Sequence, residues 1–275
     1  MKELVARTRK NVVVVAPTGV AAINAGGVTI HSMFGLPLTC FVPCDDFVDL
    51  NAATNRRRLY REHMRYRKER TRLLREMDTL IIDEVSMVRG DLLDAVDFVL
   101  RTVRRNERPF GDVQVLMFGD VHQLPPVAKE REWDILKAYY RSPYFFDSLV
   151  WPQLDAAEIE LQTIYRQTDA RFLELLRNIR ERRMGEEDYA LLRERYRPDF
   201  NPAAEGYILL ATHNARADGV NASALERLPG PLFSFEARIE GEFPESAFPC
   251  DRVLSLKPGA QVMFIRNDSE DGRYY

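Results

Sequence analysis

The 275-residue chain carries 39 Lys and Arg against 42 Asp and Glu, a formal net charge of −3. No global field therefore draws it to nucleic acid, and any such site must be a local patch. Three cysteines exclude a disulfide framework, and no apolar stretch reaches the ~18 residues of a membrane-spanning helix. The hydrophobic share of 45% suits an ordinary globular protein, and the length suits about two domains at ~150 residues each. Cys40 and Cys44 lack a nearby second ligand pair, so a zinc site is not expected. With no signal peptide read at the N-terminus, the expected setting is soluble, intracellular and reducing.

The first element is NVVVV (11–15). Its consecutive valines read as a buried strand of a parallel sheet. The turn that follows, APTGVAAINAGG, carries Thr and Gly, and its backbone N–H groups suit a phosphate. It has no Gly-Lys-[Ser/Thr], and none of the six lysines follows a glycine. Residues 56–72 hold nine basic and two acidic side chains. They read equally as a phosphate-contacting helix or as a solvated amphipathic one. TLIIDEV (79–85) is an apolar strand that delivers Asp83 and Glu84 to its C-terminal end, where α/β sheets place ligands. In a nucleotide hydrolase such an Asp holds Mg²⁺ through water and the Glu polarises the attacking water. The plainer alternative is a solvated acid pair.

Leu92, Leu93, Val96, Val99, Leu100 and Val103 recur at helical spacing. VQVLMFGD (113–120) is the next strand, followed by His122, Gln123 and two prolines that fix the loop's exit. The neutral Gln123 amide suits a γ-phosphate or its attacking water, whereas His122 reads as an ordinary loop residue. A hinge is expected near Ser142 to Leu154, around Pro143 and Trp151-Pro152. Beyond it come the strand-like IELQTI (159–164) and Tyr165-Arg166-Gln167, then a Thr168-Asp169 cap. A helix carrying Phe172, Leu175, Leu176 and Ile179 follows, and further on the strand-like YILLAT (207–212) and QVMFIR (261–266). The stretch after Gly230 is irregular, read as loops and short strands. Strands alternating with helices predict an α/β protein with parallel sheets.

Taken together, APTGVAAINAGGVTIHSMFGLP, IIDEVSM, FGDVHQLPPV, YRQ, LLATHNARAD and LKPGAQVMFIRND resemble the Pif (petite integration frequency) family of DNA helicases, relatives of RecD-type enzymes in superfamily one. The likeness runs from about Asn11 to Asp268. It implies two RecA-like lobes of the P-loop NTPase type, at residues 1–150 and 151–275, with ATP and Mg²⁺ between them and single-stranded DNA across both. Movement would be 5′ to 3′. It assigns Asp83, Glu84, Gln123 and Arg166 to hydrolysis, with Asp83 holding Mg²⁺ through water and Arg166 acting as an arginine finger. It assigns Thr18, Gly19, Val20, His31, Ser32, Phe34, Pro37, Thr212 and Asn214 to DNA, with core packing the alternative for Phe34 and His31. APTGVAA is then a grip on the DNA backbone rather than the ATP loop.

The resemblance further implies that the family's strand, Gly-Lys-[Thr/Ser] loop and C-terminal motifs are missing from this sequence. A helicase present as a partial chain is expected, the alternative being a non-catalytic nucleic-acid-binding remnant. Single-stranded DNA and forks are the expected partners, with no membrane and a monomeric state. The expected location is cytoplasmic in a bacterium or nuclear in a eukaryote.

Overall fold

The computed structural model describes residues 8–46, 49, 52–201, 205–239 and 250–262. The chain divides into two compact units, Met1–Thr163 and Ile164–Tyr275.

The first unit is built on β1 (Val12–Ala16), α1 (Gly19–Ala25), β2 (Val28–Thr29), α2 (Ile30–Phe34), β3 (Cys40–Val42), β4 (Ala53–Asn55), α3 (Lys68–Glu76), β5 (Thr79–Ile82), α4 (Gly90–Arg104), β6 (Gln114–Met117) and α5 (Glu130–Leu136). Its main sheet has the order β2-β1-β5-β6. All its pairings are parallel, with Val12 opposite Thr79, Val15 opposite Ile82, and Ile82 opposite Met117. Every residue of β5 is buried, which is why that strand reads as an unbroken apolar run. The three strands expected in this half, at 11–15, 79–85 and 113–120, are present.

The helical spacing around Leu92 also forms as expected. On α4, Leu93, Val96, Val99 and Leu100 pack into the main core beside Leu80 and Ile82. The same helix buries three acids at successive three-residue intervals, Asp91, Asp94 and Asp97. Each accepts backbone N–H groups from a different segment of the chain. Phe41 donates to Asp91 at 2.9 Å, Leu149 and Val150 donate to Asp94 at 2.9 Å each, and Phe110 donates to Asp97 at 2.6 Å. Arg89 pairs with Asp91, and Arg101 with Asp97, each at 2.8 Å. Burial pushes the Asp94 carboxyl up to about 6, against the two N–H groups that favour its charge.

The expected hinge at Ser142 to Leu154 is not a hinge. Phe145 and Val150 belong to the core of the first unit, and Asp94 holds the backbone between them. The Pro and Trp-Pro signals mark short 3-10 turns, Phe145–Asp147 and Trp151–Gln153.

The second unit contains α6 (Ala170–Arg180), α7 (Glu186–Arg195), α8 (Asn214–Arg227) and an antiparallel pair, β7 (Phe233–Glu236) and β8 (Val253–Leu256). The Asp169 cap of α6 forms as the sequence suggests, its carboxylate accepting from Phe172 N at 3.2 Å. The pair β7 and β8 is the short-strand pattern expected after Gly230. Neither IELQTI nor YILLAT is a strand. Their side chains stand in solvent, with Leu161 84% and Leu210 86% exposed. An apolar run becomes a strand only when a neighbour supplies ladder partners, and no such neighbour is present among the described residues. QVMFIR falls, from Met263 onward, outside the described residues.

Candidate nucleotide and nucleic-acid site

Three adjacent parallel strands end side by side, and each exit carries one of the sequence motifs. β1 leads through Pro17 to Thr18, β5 leads to Asp83 and Glu84, and β6 leads through Phe118 to Gly119, Asp120 and Gln123. Backbone hydrogen bonds tie these exits together. Asp83 N donates to Val15 O at 2.9 Å, Phe118 N to Ile82 O at 2.9 Å, and Val85 N to Phe118 O at 2.9 Å. The C-terminal edge of the parallel sheet thus gathers Thr18, the acid pair and Gln123 on neighbouring loops, where open α/β sheets receive ligands.

At the β1 exit, Thr18 caps α1, its hydroxyl accepting from Ala21 N at 3.2 Å. Gly19 and Val20 are the first residues of α1, so their N–H groups have no intrahelical acceptor. Val20 is 49% exposed. Donor groups without internal partners at a helix start are chemically suited to a phosphate oxygen.

At the β5 exit, Asp83 and Glu84 are both half-buried. Glu84 has φ 52° and ψ 44°, a left-handed conformation that a side chain adopts at a cost. A 3-10 turn, Val85–Met87, follows at once. At the β6 exit, Asp120 organises its own loop. Its carboxylate accepts from His122 N at 3.0 Å and from the Gln123 amide at 3.3 Å, and its carbonyl accepts from Gln123 N at 2.9 Å. Gln123 and His122 are exposed. Asp120 was not among the expected site residues, although its place at the end of FGD was the available signal.

The 31–37 segment splits in two. His31 and Pro37 line a cavity of about 280 Å³ with Thr18, Phe41, Arg89 and Asp91. Burial is the main cause that lowers the His31 pKa, and the Arg89 cation adds to it against the opposing pull of Asp91. The ring is therefore neutral at pH 7. Arg89 binds Asp91 through two nitrogens, at 2.8 and 2.9 Å, and Glu132 through a third at 2.8 Å. Sequence reasoning missed this ion cluster because Glu132 comes from a distant helix. Ser32 is exposed near the start of α2, its N–H held by Thr29 Oγ1 at 3.3 Å.

Phe34 corrects the expectation that it lines a strand path. It is 0% exposed, inside the main core, so its ring packs and cannot stack on a base. Its carbonyl accepts from Tyr66 Oη at 2.5 Å. Arg70 lies 5.8 Å over the Tyr66 ring, so the basic 56–72 segment is anchored to the end of α2. That segment forms a turn at Arg56–Arg58, a π-turn at Leu59–His63 and part of α3. Some of its charge is used internally, as in the Arg58–Glu62 pair at 2.7 Å.

Arg166, Thr212 and Asn214 lie in the second unit, and all three are exposed. Arg166 sits in a bend ahead of α6, Thr212 Oγ1 is 2.9 Å from His213 Nδ1, and Asn214 opens α8. Among the described residues no group of three His, Cys, Asp or Glu side chains could hold a metal ion by itself. No helix among them is long and apolar enough to cross a membrane.

Comparison with known proteins gives a consistent picture. A family model described as PIF1-like helicase matches residues 1–188. The ATP-dependent DNA helicase PIF1 of Saccharomyces cerevisiae is 32% identical over 272 residues, covering 94% of this chain and 29% of the relative. That of Homo sapiens is 32% identical over 264 residues, covering 93% of this chain and 37% of the relative. Among solved structures, one described as two coordinating Pif1 helicases unwinding forked double-stranded DNA superposes with a TM-score of 0.84 at 40% identity. It covers 99% of this chain and 61% of the other. The Bacteroides Pif1 helicase in complex with ADP-AlF3 and single-stranded DNA gives 0.82 at 39% identity, covering 99% and 60%. The chain spans about a third of the length of these curated relatives.

Proposed function

The chain belongs to the PIF1-like helicase family, with a RecA-like α/β fold, and from that premise we propose that it supplies the strand grip and the hydrolytic loops of an ATP-dependent DNA helicase. The observation that carries this is the convergence of Thr18, Asp83 with Glu84, and Gln123 on three adjacent strand ends of one parallel sheet.

In this reading Glu84 polarises the attacking water, and Gln123, held by Asp120, orients the phosphate end of the nucleotide. Asp83 is the oxygen donor suited to Mg²⁺, an ion that usually takes one or two carboxylates together with substrate phosphates and water. When bound, the ion would neutralise charge on the phosphates. Arg166 is assigned the planar cation that reads γ-phosphate oxygens. Thr18, Gly19 and Val20 hold the backbone of single-stranded DNA through N–H and hydroxyl groups. His31, Ser32 and Pro37 continue that track, and Thr212 and Asn214 serve it from the second unit. The two lobes, expected at 1–150 and 151–275, would then act with their boundary moved to the division after Thr163. The protein is proposed to work 5′ to 3′ as a single copy on single strands and forks, inside the cell where its DNA lies. Pairing of copies, which the two-helicase fork structure brings to mind, is the outcome that sedimentation on a forked duplex would separate from it.

The test is DNA-stimulated phosphate release by the full-length protein. Glu84→Gln should lower turnover by about 10²–10⁴-fold, the scale of a lost general base, while leaving ATP binding intact. Wild-type turnover in that variant would remove Glu84 from the chemistry. The 275-residue chain alone, which has no Gly-Lys-[Ser/Thr] sequence, should release no phosphate, because the triphosphate has no cradle. Activity in the isolated chain that Glu84→Gln abolishes would overturn that expectation.

A further inference from the structure

The loops that carry Glu84 and Gln123 meet at one residue that neither role explains. Val85 N donates to Phe118 O, and the residue after Phe118 is Gly119. A Cβ at Gly119 would stand 3.0 Å from Val85 Cγ1, 3.0 Å from Val85 N and 3.1 Å from Ser86 N. Two of those three neighbours are backbone, which cannot swing aside as a side-chain end does. Gly119 is not among the glycines with positive φ. Glycine is favoured there by proximity rather than by backbone conformation.

The turn that Gly119 presses against packs Val85 into the main core. Glu84 is in the left-handed region. Ser86 is 1% exposed, and its hydroxyl has no hydrogen-bond partner among the described residues. On the other side of Gly119 the chain runs directly into Asp120, which holds the Gln123 amide. An unbroken series of backbone contacts therefore leads from Glu84 through Val85, Phe118 and Gly119 to Asp120 and Gln123.

We propose that Gly119 is a positioning residue for the hydrolytic groups. By having no side chain it lets the two loops rest on each other at backbone contact. That steric stop sets where Glu84 lies relative to Gln123. The inference rests on the reading of this edge as an ATP-hydrolysing site. A methyl group at this point must part the loops by a few tenths of an ångström. Because ~1 Å of misplacement costs up to 10²-fold in rate, about tenfold is expected here. Nothing in the contact bears on nucleotide or DNA affinity.

The experiment compares Gly119→Ala with Gly219→Ala in the full-length protein. A Cβ at Gly219 meets nothing within 4 Å. Steady-state ATP hydrolysis on oligothymidine, the affinity for that oligonucleotide and the melting temperature are measured for each. The expected result is kcat lower by about tenfold in Gly119→Ala alone, with KM for ATP and oligonucleotide affinity unchanged. Adding Val85→Ala should not restore the rate, since the two backbone atoms remain. Unchanged kcat in Gly119→Ala would overturn the proposal. So would a loss of kcat accompanied by lost DNA affinity and a lowered melting temperature, which marks a folding defect. Full rescue by Val85→Ala would overturn it too, since the stop would then be a side chain. A wild-type protein with no DNA-stimulated hydrolysis would instead remove the function reading, and this proposal with it.

Discussion

Glu84→Gly should make the protein more stable and less active at the same time. Glu84 sits at φ 52° and ψ 44°, where a side chain costs about 1–2 kcal/mol relative to glycine. Replacing it with glycine removes that strain, but it also widens the unfolded ensemble, which takes back about 0.4–1 kcal/mol. Midpoint values of ~1.5 and ~0.7 leave a net gain of about 0.8 kcal/mol. For a unit of this size, that raises the melting temperature by roughly 2–3 °C. Glu84→Gln keeps the left-handed strain and should melt like the wild type. Differential scanning fluorimetry of the three chains, following the first transition, reads the stability. Phosphate release by the full-length protein reads the activity, which should fall by about 10²–10⁴-fold in both variants. A melting temperature for Glu84→Gly at or below that of Glu84→Gln would refute the strain argument, and with it the view that stability was given up at this turn for function.

Phe34 and His31 should separate cleanly. Phe34→Ala removes a fully buried ring and should cost about 3–5 kcal/mol of stability, seen as a large fall in denaturant midpoint. His31→Ala should leave the fold intact and weaken single-strand binding by up to about 1–3 kcal/mol; lost stability with unchanged DNA affinity would return His31 to the scaffold. The lowered His31 pKa carries a pH dependence. The unfolded ring, with a pKa near 6.5, takes up a proton before the folded one does. Its contribution to stability is therefore complete above 6.5 and is lost as pH falls through the window below it. Asp94, pushed up to about 6, works in the opposite direction between its unfolded pKa and 6. The His31 contribution is accordingly read as the difference between wild type and His31→Gln in urea titrations from pH 7.5 to 5, and a constant difference would contradict it. Arg166→Ala should depress turnover far more than ATP affinity, and Arg166→Lys should not rescue it, because an ammonium lacks the planar fork; a fully active lysine variant would leave Arg166 as an ion-pair partner only.

The first unit was legible in the sequence because its signals are local and agree with each other. Four valines, then TLII, then VLM read as strands, and these are the strands that lie side by side. The spacing of Leu93, Val96, Val99 and Leu100 marked the buried face of α4. What the sequence hid depends on distant partners or on backbone shape. IELQTI has the composition of a strand yet lies exposed, since composition cannot report whether a neighbour offers a ladder. Phe34 lies in a segment expected to touch DNA, and nothing local distinguishes a ring turned inward from one turned outward. The Arg89 cluster needs Glu132 from 43 positions away. The left-handed Glu84 gives no signal, because the residues that usually announce positive φ are glycine and asparagine. Gly119 was visible as a letter, but the reason for it exists only where two loops touch.

The main sheet ends in a border that invites association. β6 is one of its two edge strands among the described residues, and its sequence Gln114-Val115-Leu116-Met117, followed by Phe118, bears no charge. Val115, Leu116 and Met117 are only half-buried. An uncharged apolar border with one unpaired row of backbone groups is a template on which another chain can add itself. Net charge of −3 spread over 275 residues offers little repulsion against such encounters. Association through this border should therefore rise with protein concentration, a trend that light scattering reads. A single lysine on the outward face of β6 is the change that would blunt it.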